Sequence, residues 1–219
     1  MGVHYRENRA GAEATAREIT ASGGTSVLLG FDLLDPAQCD HLVEEFLGAT
    51  GGIDVLVNNA GGVRDYVDFR ALSVPSFEHA MSLNVRAPLW LARGFWPCMV
   101  AAGGGRIINI TSAAVRYGGS ASGIHYVAAK ASLEGITLAL AKEGAGSRIL
   151  VNAVRPGVVD TGMHERIIGY SDEQWQRRKA QIPLGRAARS GEIAAVVAFL
   201  ASEASSYVTG QIITVAGGD

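Results

Sequence analysis

The sequence has 219 residues, enough for one sizeable α/β core, and its 48% apolar and 18% charged residues are ordinary for a globular domain. A formal net charge of −2 and scattered arginines leave no basic stripe for a nucleic acid. No apolar run approaches the roughly 18 residues that a membrane span needs. We therefore expect neither a nucleic-acid partner nor a membrane partner.

The two cysteines, Cys39 and Cys98, are far apart and belong to neither a CxxC motif nor a cluster with histidines. We expect buried free thiols rather than a disulfide or a metal site. The histidines lack metal-ligand spacing, so no metal is predicted. Because the first residues contain no apolar signal region, we expect a cytoplasmic location.

Apolar runs and helical repeats alternate along the chain. A continuous apolar run such as residues 27–31 is typical of a strand buried on both faces of a parallel sheet, and glycine pairs such as Gly23-Gly24 end helices. This alternation predicts a single α/β domain, residues 1–219, with a doubly wound, Rossmann-like parallel sheet. In chain order, the predicted strands are residues 3–5, 27–31, 53–57, 106–110, 148–154 and 211–215, and the predicted helices are residues 9–21, 36–49, 76–102, 123–144 and 190–202.

The candidate chemistry lies around the strand at residues 106–110, which is followed by Ser112 and by a helix that carries Tyr126 and Lys130. Positions i and i+4 share one face of a helix, so the phenol and the ammonium can approach the same space, and a loop can bring Ser112 to them. A phenol with a pKa near ~10 is a poor acid–base catalyst at neutral pH, but a neighbouring cation lowers that value. We predict that Tyr126 exchanges a proton with a carbonyl oxygen and that Lys130 lowers the pKa of Tyr126.

Three further motifs accompany these residues in order: Asn58-Asn-Ala-Gly61, then Asn84, and later Arg155-Pro-Gly157. In this order the motifs resemble the short-chain dehydrogenase/reductase family, from about residue 2 to the C-terminus. The resemblance implies an oxidoreductase that transfers hydride between a nicotinamide cofactor and a carbonyl compound or secondary alcohol. It is closest to the oxoacyl-carrier-protein reductase and sugar or alcohol dehydrogenase branch.

The resemblance also implies a role for each candidate residue. Ser112 would hold the substrate oxygen, Lys130 would also bond the nicotinamide ribose, and Asn84 would hold a water of the proton relay unless it is a structural helix asparagine. The implied catalytic set is Asn84, Ser112, Tyr126 and Lys130, and the implied cofactor-binding set is Arg6, Asp32, Asn58, Ala60, Gly61, Tyr126, Lys130, Pro156, Gly157 and Thr161.

The cofactor-binding residues differ in how strongly they indicate a function. Asp32 would accept a hydrogen bond from the adenine amine, with a strand-end cap as the alternative. The segment from Asn58 to Gly61 either lines the adenine ribose or serves close backbone packing, while Pro156, Gly157 and Thr161 would contact the nicotinamide side.

The end of the first predicted strand bears on the choice of nucleotide. It reads His4-Tyr5-Arg6, without the acidic residue that would accept hydrogen bonds from a free ribose 2′-hydroxyl. NADP is therefore favoured, NAD remains possible, and Arg6 is either a partner of the 2′-phosphate or a solvated arginine.

One family feature has no counterpart in the sequence. Members open with a strand, a TGxxxGxG turn and a helix, and the turn holds the cofactor pyrophosphate. Without it, we expect a domain that lacks its first βα unit and is incomplete at the N-terminus, with the absent strand falling between those at residues 2–5 and 53–57. A translation start set too far downstream, an inactive truncated product, and a rearranged sheet with another binding or oligomer-partner role all remain open.

Residues 158–189 form a connection too long to be an ordinary loop. It follows the carboxyl end of a strand, where open α/β sheets bind ligands, so we predict one or two short helices that close as a lid beside Tyr126. Met163, Ile167 and Trp175 would contact a medium-sized, partly apolar carbonyl substrate. The basic cluster Arg177–Lys179 is either a solvated helix face or a contact for an acidic carrier.

Two predicted helices, residues 76–102 and 123–144, carry more apolar side chains than one sheet-facing stripe needs. We therefore expect a homodimer or homotetramer, as the family resemblance also suggests. The apolar and small residues concerned are Leu89, Trp90, Phe95, Trp96, Ala128, Ala131, Leu138 and Ala139.

Overall fold

The computed structural model describes residues 1–161 and 171–219, in which parallel strands alternate with helices. The strands are β1 (Gly2–Tyr5), β2 (Val27–Gly30), β3 (Val55–Asn58), β4 (Gly105–Ile110), β5 (Ile149–Pro156) and β6 (Ile212–Val215). The helices are α1 (Arg9–Ala21), α2 (Pro36–Thr50), α3 (Val74–Met81), α4 (Ala87–Ala101), α5 (Ala114–Tyr117), α6 (Ile124–Gly144), α7 (Asp172–Ala180) and α8 (Ser190–Leu200). The predicted α/β fold with a doubly wound parallel sheet is confirmed.

Local signals set several helix ends. Asn8 caps α1 by accepting a hydrogen bond from the Gly11 N–H at 3.0 Å, and Asp35 caps α2 by accepting from the Ala37 N–H at 2.9 Å. Gly51 ends α2 with a φ of 74°, a left-handed conformation that costs glycine little. These caps explain why the predicted bounds of the first two helices lie close to the observed ones.

The long helix predicted over residues 76–102 is helical throughout residues 74–101, but an unpredicted π-helical turn at Ser82–Arg86 divides it into α3 and α4. Pro88 has no N–H to donate to the carbonyl of Asn84, so the regular hydrogen-bond ladder is interrupted there. The Asn84 side chain instead donates to the Ala80 carbonyl at 2.8 Å. The interruption places a candidate catalytic residue at an irregular point of the helix.

The core consists of apolar layers on both faces of the larger sheet. Ile107 packs in the layer beneath α2 and α4, whereas Ile108 packs in the layer beneath α8. Successive residues of a strand point to opposite faces, so a sheet covered by helices on both sides requires apolar residues at consecutive positions. None of the described helices is long and apolar enough to cross a membrane.

The strands form two parallel sheets instead of a single continuous one. β1 pairs with β2, and the second sheet has the order β3-β4-β5-β6. Among the described residues no ladder joins β1 to β3, and a cavity of about 2090 Å³ lies between them. We call it the inter-sheet cleft; it is lined by residues 1–8 and 52–66 and by side chains of α1, α2, α4 and α8.

Candidate active site

Tyr126 and Lys130 lie one turn apart on α6, and Ser112 joins them from the loop after β4. The Lys130 Nζ is 5.8 Å from the centroid of the Tyr126 ring, and the Tyr126 hydroxyl is hydrogen-bonded to the Ser112 side chain. Lys130 is only 4% exposed, and its Nζ donates to the Ile110 carbonyl at 2.7 Å. The structure therefore brings three of the four predicted catalytic residues into one group.

The residues before and after Ser112 are both hydrogen-bonded to β5. The Thr111 N–H donates to the Val154 carbonyl at 2.8 Å, and the Ala113 N–H donates to the Pro156 carbonyl at 2.8 Å. The Ser112 Oγ accepts from the Ala114 N–H at 3.2 Å. Backbone bonds on either side thus limit the movement of the hydroxyl next to Tyr126.

A line of buried hydrogen bonds joins β3 and β4 to the catalytic helix. Asn58 Nδ2 donates to Asn109 Oδ1 at 2.8 Å, and Asn109 Nδ2 donates to Thr137 Oγ1 at 2.9 Å. The Thr137 hydroxyl in turn donates to the Leu133 carbonyl at 2.8 Å. Buried polar groups are costly unless they are paired, so these contacts fix α6 against the strands and give Asn58 a structural role.

Burial dominates the electrostatics of the catalytic pair. Loss of solvent raises the pKa of Tyr126 to about 12, although the hydrogen bond with Ser112 opposes this, and burial lowers the pKa of Lys130 to about 8. The expectation that Lys130 lowers the pKa of Tyr126 was wrong, because desolvation disfavours the charged form of both groups. At neutral pH the Tyr126 hydroxyl is therefore protonated.

The lowered pKa of Lys130 leads to a prediction for stability. The folded pKa is about 8 and the ordinary value is 10.5, so between these pH values the unfolded chain binds more protons than the folded chain. Raising the pH through this window therefore stabilises the folded protein, whereas the raised pKa of Tyr126 acts in the opposite direction only above pH 10.

We expect the free energy of unfolding of the native protein, relative to Lys130→Met, to rise between about pH 8 and pH 10.5. Urea denaturation at a series of pH values measures this difference. Parallel pH curves for the two proteins would show that Lys130 is not desolvated in the folded state.

Asn84, the fourth predicted catalytic residue, is fully buried and holds the segment after β3. Its Nδ2 donates to the carbonyls of Gly62 at 2.7 Å and Ala80 at 2.8 Å, and its Oδ1 accepts from the Gly62 N–H at 3.0 Å. Both amide hydrogens are therefore engaged. A water bound to this side chain would have to donate to the remaining lone pair of Oδ1.

Gly61 connects this segment to the catalytic pair. A Cβ built on Gly61 would lie 2.8 Å from both Asn84 Oδ1 and Lys130 Nζ, closer than such atoms approach. Only glycine fits this close approach to the Asn84 amide and the Lys130 ammonium. Gly61 also lines the inter-sheet cleft, so the cleft reaches the segment that packs against Lys130.

The predicted cofactor-binding residues fall into two sets. Arg6, Asp32, Asn58, Ala60 and Gly61 line the inter-sheet cleft, whereas the remaining residues lie elsewhere. Each residue of the cleft set has local contacts of its own. Arg6 pairs with Glu7 at 2.8 Å, and one Asp32 oxygen accepts from the Leu34 N–H at 2.9 Å as in a strand-end cap.

Of the second set, Tyr126 and Lys130 lie on α6, whereas Pro156, Gly157 and Thr161 lie at the end of β5 or after it. The Gly157 N–H donates to the Val215 carbonyl at 3.0 Å, and a Cβ on Gly157 would lie 2.8 Å from the Ala216 Cα, so the close approach of these two segments requires glycine. Pro156 is the last residue of β5, and Thr161, further along the chain, is exposed to solvent. In the part of the chain that the structure describes, none of these three residues lines the inter-sheet cleft.

Residues that the sequence interpretation did not select also surround Tyr126. Tyr66 and Tyr117 both contribute electrostatically to the raised pKa of Tyr126. His125 is fully buried, and its Nε2 donates to the Asp65 carbonyl at 3.2 Å, which ties the loop after β3 to α6. The only sequence signal for His125 is its place next to Tyr126.

The predicted lid is described only in part. Met163 and Ile167 lie outside the described residues, whereas Trp175 lies on α7 with the Lys179 Nζ 5.4 Å from its ring centroid. Arg178 forms an ion pair with Asp219 and a hydrogen bond with Tyr117, which ties α7 to the segment near Tyr126.

The basic cluster on α7 has partners within the chain. Arg177 pairs with Glu173 at 2.6 Å, and the Arg178 side chain is only 19% exposed. The cluster is therefore not a uniformly solvated face, and its charges are partly neutralised. In the described part of the chain no group of three or more His, Cys, Asp or Glu residues could hold a metal ion.

Comparison with known proteins supports one interpretation of this geometry. A family model described as enoyl-(acyl carrier protein) reductase matches residues 2–219. The 3-oxoacyl-[acyl-carrier-protein] reductase FabG of Aquifex aeolicus is 38% identical over 208 residues, which cover 94% of this chain and 82% of that protein.

Two solved structures show the same fold. A putative short-chain alcohol dehydrogenase from Sinorhizobium meliloti 1021 superposes with a TM-score of 0.90 at 33% identity, covering 99% of this chain and 84% of that chain. A gluconate 5-dehydrogenase from Burkholderia cenocepacia J2315, in complex with NADP and tartrate, superposes with a TM-score of 0.89 at 28% identity, with coverages of 99% and 84%. The chain therefore belongs to the short-chain dehydrogenase/reductase family of oxidoreductases.

Proposed function

We propose that this chain carries the active site for reversible hydride transfer between NADP and a carbonyl compound or secondary alcohol. The observation that carries the proposal is the half-buried, protonated Tyr126 hydroxyl, bonded to Ser112 and one helical turn from Lys130. A protonated donor of this kind suits protonation of a carbonyl oxygen. An inactive fold remnant is not supported, because the group of side chains is intact.

In the reduction direction, Ser112 holds the carbonyl oxygen and Tyr126 donates its proton to that oxygen. The nicotinamide cofactor, when bound, supplies the hydride to the carbon. Lys130 places a positive charge beside the phenolate that remains and stabilises it until a proton returns. Oxidation of an alcohol reverses these steps.

The residues present fit a nicotinamide nucleotide. Gly61, which packs closely against the Lys130 ammonium, also lines the inter-sheet cleft. Arg6 lines the same cleft with its side chain 48% exposed, so it can turn from Glu7 towards a 2′-phosphate. The position of Arg6 supports NADP. NAD is the alternative, because the Arg6 guanidinium already has an ion-pair partner in Glu7 and does not require a 2′-phosphate.

The proposed substrate is a medium-sized ketone, and a 3-oxoacyl thioester is the first to test. The similarity to the Aquifex 3-oxoacyl-[acyl-carrier-protein] reductase supports the thioester. The similarity to the gluconate 5-dehydrogenase makes sugar-like alcohols the second candidate class. The experiment follows NADPH consumption with a panel of both classes, in the native protein and in Tyr126→Phe. Consumption that survives loss of the Tyr126 hydroxyl would refute the proposed site.

The proposed lid role of Trp175 yields a specificity prediction. Trp175→Ala is expected to change the ranking of ketones by kcat/KM by about 10-fold, because an apolar contact of this size discriminates among substrates to roughly that extent. Cofactor affinity should not change. Glu173→Ala on the same helix is the matched control, and an unchanged ranking would show that Trp175 does not contact substrate.

The apolar surface of α4 and α6 yields a prediction for assembly. Leu89, Trp90, Trp96 and Leu140 line an open groove of about 440 Å³, whereas Phe95 lies in the core with its ring centroid 5.7 Å from that of Phe46. We propose a homodimer or homotetramer built on this groove and expect Leu140→Glu to produce monomers. Sedimentation at micromolar concentration measures this, and a native protein that is already monomeric would contradict it.

The expected absence of a first βα unit remains a prediction. The two separate sheets and the inter-sheet cleft support it, because one further strand between β1 and β3 would join all strands into one sheet. The two free thiols, Cys39 and Cys98, are compatible with the cytoplasmic location that we propose.

A further inference from the structure

An ion pair that is largely shielded from solvent joins the catalytic helix to β5. The Glu134 carboxylate on α6 accepts from the Arg155 Nε at 2.8 Å and from the Arg155 Nη2 at 2.6 Å, one bond for each oxygen. The Glu134 side chain is 10% exposed and the Arg155 side chain is 17% exposed. A two-point contact of this kind fixes orientation as well as distance, because the planar guanidinium matches the carboxylate. The pair therefore restricts how α6 can move along β5.

Glu134 belongs to the same side of α6 as the catalytic pair. Tyr126, Lys130 and Glu134 are spaced four residues apart, so they follow one ridge of the helix. At ~1.5 Å per residue, Glu134 is about 12 Å from Tyr126 along the helix axis. The helix is regular between them, so a shift of α6 at Glu134 is passed on to the Tyr126 hydroxyl.

Arg155 occupies the corresponding place on β5. The N–H groups of the residues on either side of Ser112 donate to the backbone carbonyls on either side of Arg155, at 2.8 Å each: Thr111 to Val154 and Ala113 to Pro156. The Arg155 Nη1 also donates to Thr214 Oγ1 on the neighbouring strand β6, at 3.4 Å. Ser112 and Arg155 are therefore both held by the last residues of β5.

These contacts close a ring around the proposed site. The Tyr126 hydroxyl bonds to the Ser112 side chain, and the ring then runs through β5 and the ion pair back to α6. The other polar attachments of α6 to the sheet reach β4, through the Lys130 Nζ and the Thr137 hydroxyl. Among the side-chain hydrogen bonds of the described residues, only those between Glu134 and Arg155 join α6 to β5.

We propose that Glu134 and Arg155 are positioning residues for the proposed reaction: their ion pair holds the Tyr126 hydroxyl against Ser112, so that both reach one carbonyl oxygen. The inference rests on the proposed function. Reacting groups that are held in place are sensitive to displacement, and a misplacement of about 1 Å can lower the rate by about a hundredfold. The pair acts on turnover through Tyr126 and Ser112, without touching the reacting atoms.

An ion pair that only stabilises the fold is the alternative. Replacement of a buried ion pair by apolar side chains of similar volume is often neutral for stability. Such a replacement retains packing but removes the two directional bonds. It therefore separates the two roles, because a stabilising pair could be replaced without loss of turnover, whereas a positioning pair could not.

The first test is the double variant Glu134→Leu/Arg155→Met, assayed with NADPH and the ketone panel. Its melting temperature should stay within about 5 °C of the native value. Its kcat should fall at least about tenfold, while KM for the ketone stays within about threefold, since the pair does not bind substrate. A native kcat in this variant would overturn the proposal.

A conservative variant covers the case in which the apolar replacement does not fold. Arg155→Lys keeps the charge, but one ammonium cannot match both carboxylate oxygens, so kcat should fall at least about fivefold. Arg106→Lys is the matched control: its side chain is 16% exposed and pairs with Glu203 at the amino end of β4. It should leave kcat within about twofold of the native value. Equal kcat values in the two variants would refute the role of Arg155.

A mutant cycle tests whether the two residues act as one unit. Glu134→Gln and Arg155→Met each break the same contact, so the double variant that combines them should lose no more kcat than the more severe single variant. Losses that multiply in the double variant would show that the two side chains act separately, and the proposed pair would be wrong.

A readout without substrate separates this inference from the proposed function. In protein labelled with meta-fluorotyrosine, fluorine NMR reports the surroundings of each phenol. Tyr126→Phe assigns the Tyr126 resonance, and Ser112→Ala gives the shift that follows loss of its hydrogen bond.

Arg155→Lys should move the Tyr126 resonance in the same direction as Ser112→Ala does, whereas Arg106→Lys should leave it in place. An unmoved resonance in Arg155→Lys would overturn the positioning role even in an active enzyme. Absence of NADPH consumption by the native protein with every ketone would refute the proposed function, and the resonance would still decide whether the ion pair positions Tyr126.

Discussion

Replacing Tyr126 with phenylalanine is expected to lower kcat/KM for ketone reduction by at least about a hundredfold, the usual contribution of a general acid. The substitution removes the donated proton and the hydrogen bond to Ser112, and it changes little binding surface. Cofactor affinity should therefore stay close to that of the native protein. The measurement is NADPH consumption by the native protein and by Tyr126→Phe.

The matched control is Tyr66→Phe, which removes another phenol close to Tyr126. We expect activity within a few fold of the native value, because no hydrogen bond joins Tyr66 to Ser112 in the described contacts. The pH profile gives a second check. Since the pKa of Tyr126 is about 12, the reduction rate should not fall through loss of this proton between neutral pH and pH 10. Tyr126→Phe activity within tenfold of the native value would exclude Tyr126 as the donor.

Lys130→Ala should impair both turnover and cofactor binding, with a loss in kcat of about a hundredfold. The Nζ lies next to Tyr126 and also packs against Gly61, a residue that lines the inter-sheet cleft. The same ammonium therefore acts on Tyr126, the proposed proton donor, and makes the proposed hydrogen bond to the ribose. Steady-state kinetics and NADPH titration measure the two effects separately.

Lys142→Ala, near the exposed end of the same helix, is the control for a change of charge on α6. It should leave both quantities within a few fold of the native values. A loss in turnover without weaker cofactor binding would argue against the ribose contact of Lys130. Since Lys130→Ala also leaves the Ile110 carbonyl without its donor, the melting temperature must be measured for each variant.

Local patterns predicted the position of the catalytic pair but not its electrostatics. The spacing of Tyr126 and Lys130 depends only on the geometry of one helix, so the sequence was sufficient to place them together. The direction of the Tyr126 pKa shift depends on how much water the surrounding segments exclude, and those segments are distant in the sequence. The charge of Lys130 was visible in the sequence, but its desolvation was not.

The irregular turn around Asn84 shows the same limit. Helical periodicity continues through residues 76–102, and Pro88 alone does not say whether a helix ends, bends or widens. The contacts of Asn84 with Gly62, a residue of the preceding loop, accompany the π turn. A contact between segments is needed before the interruption can be predicted.

By itself, the sequence determined the alternation of strands and helices and the order of the candidate catalytic residues. These features follow from periodicity, caps and glycine stops, all of which act over a few neighbouring residues. Only the tertiary structure decided that the long helix contains a π turn at Asn84 and that Asn58, Asn109 and Thr137 form one line of hydrogen bonds. Pairing and burial join residues far apart in the chain, so their energies depend on which surfaces meet and which remain open to water.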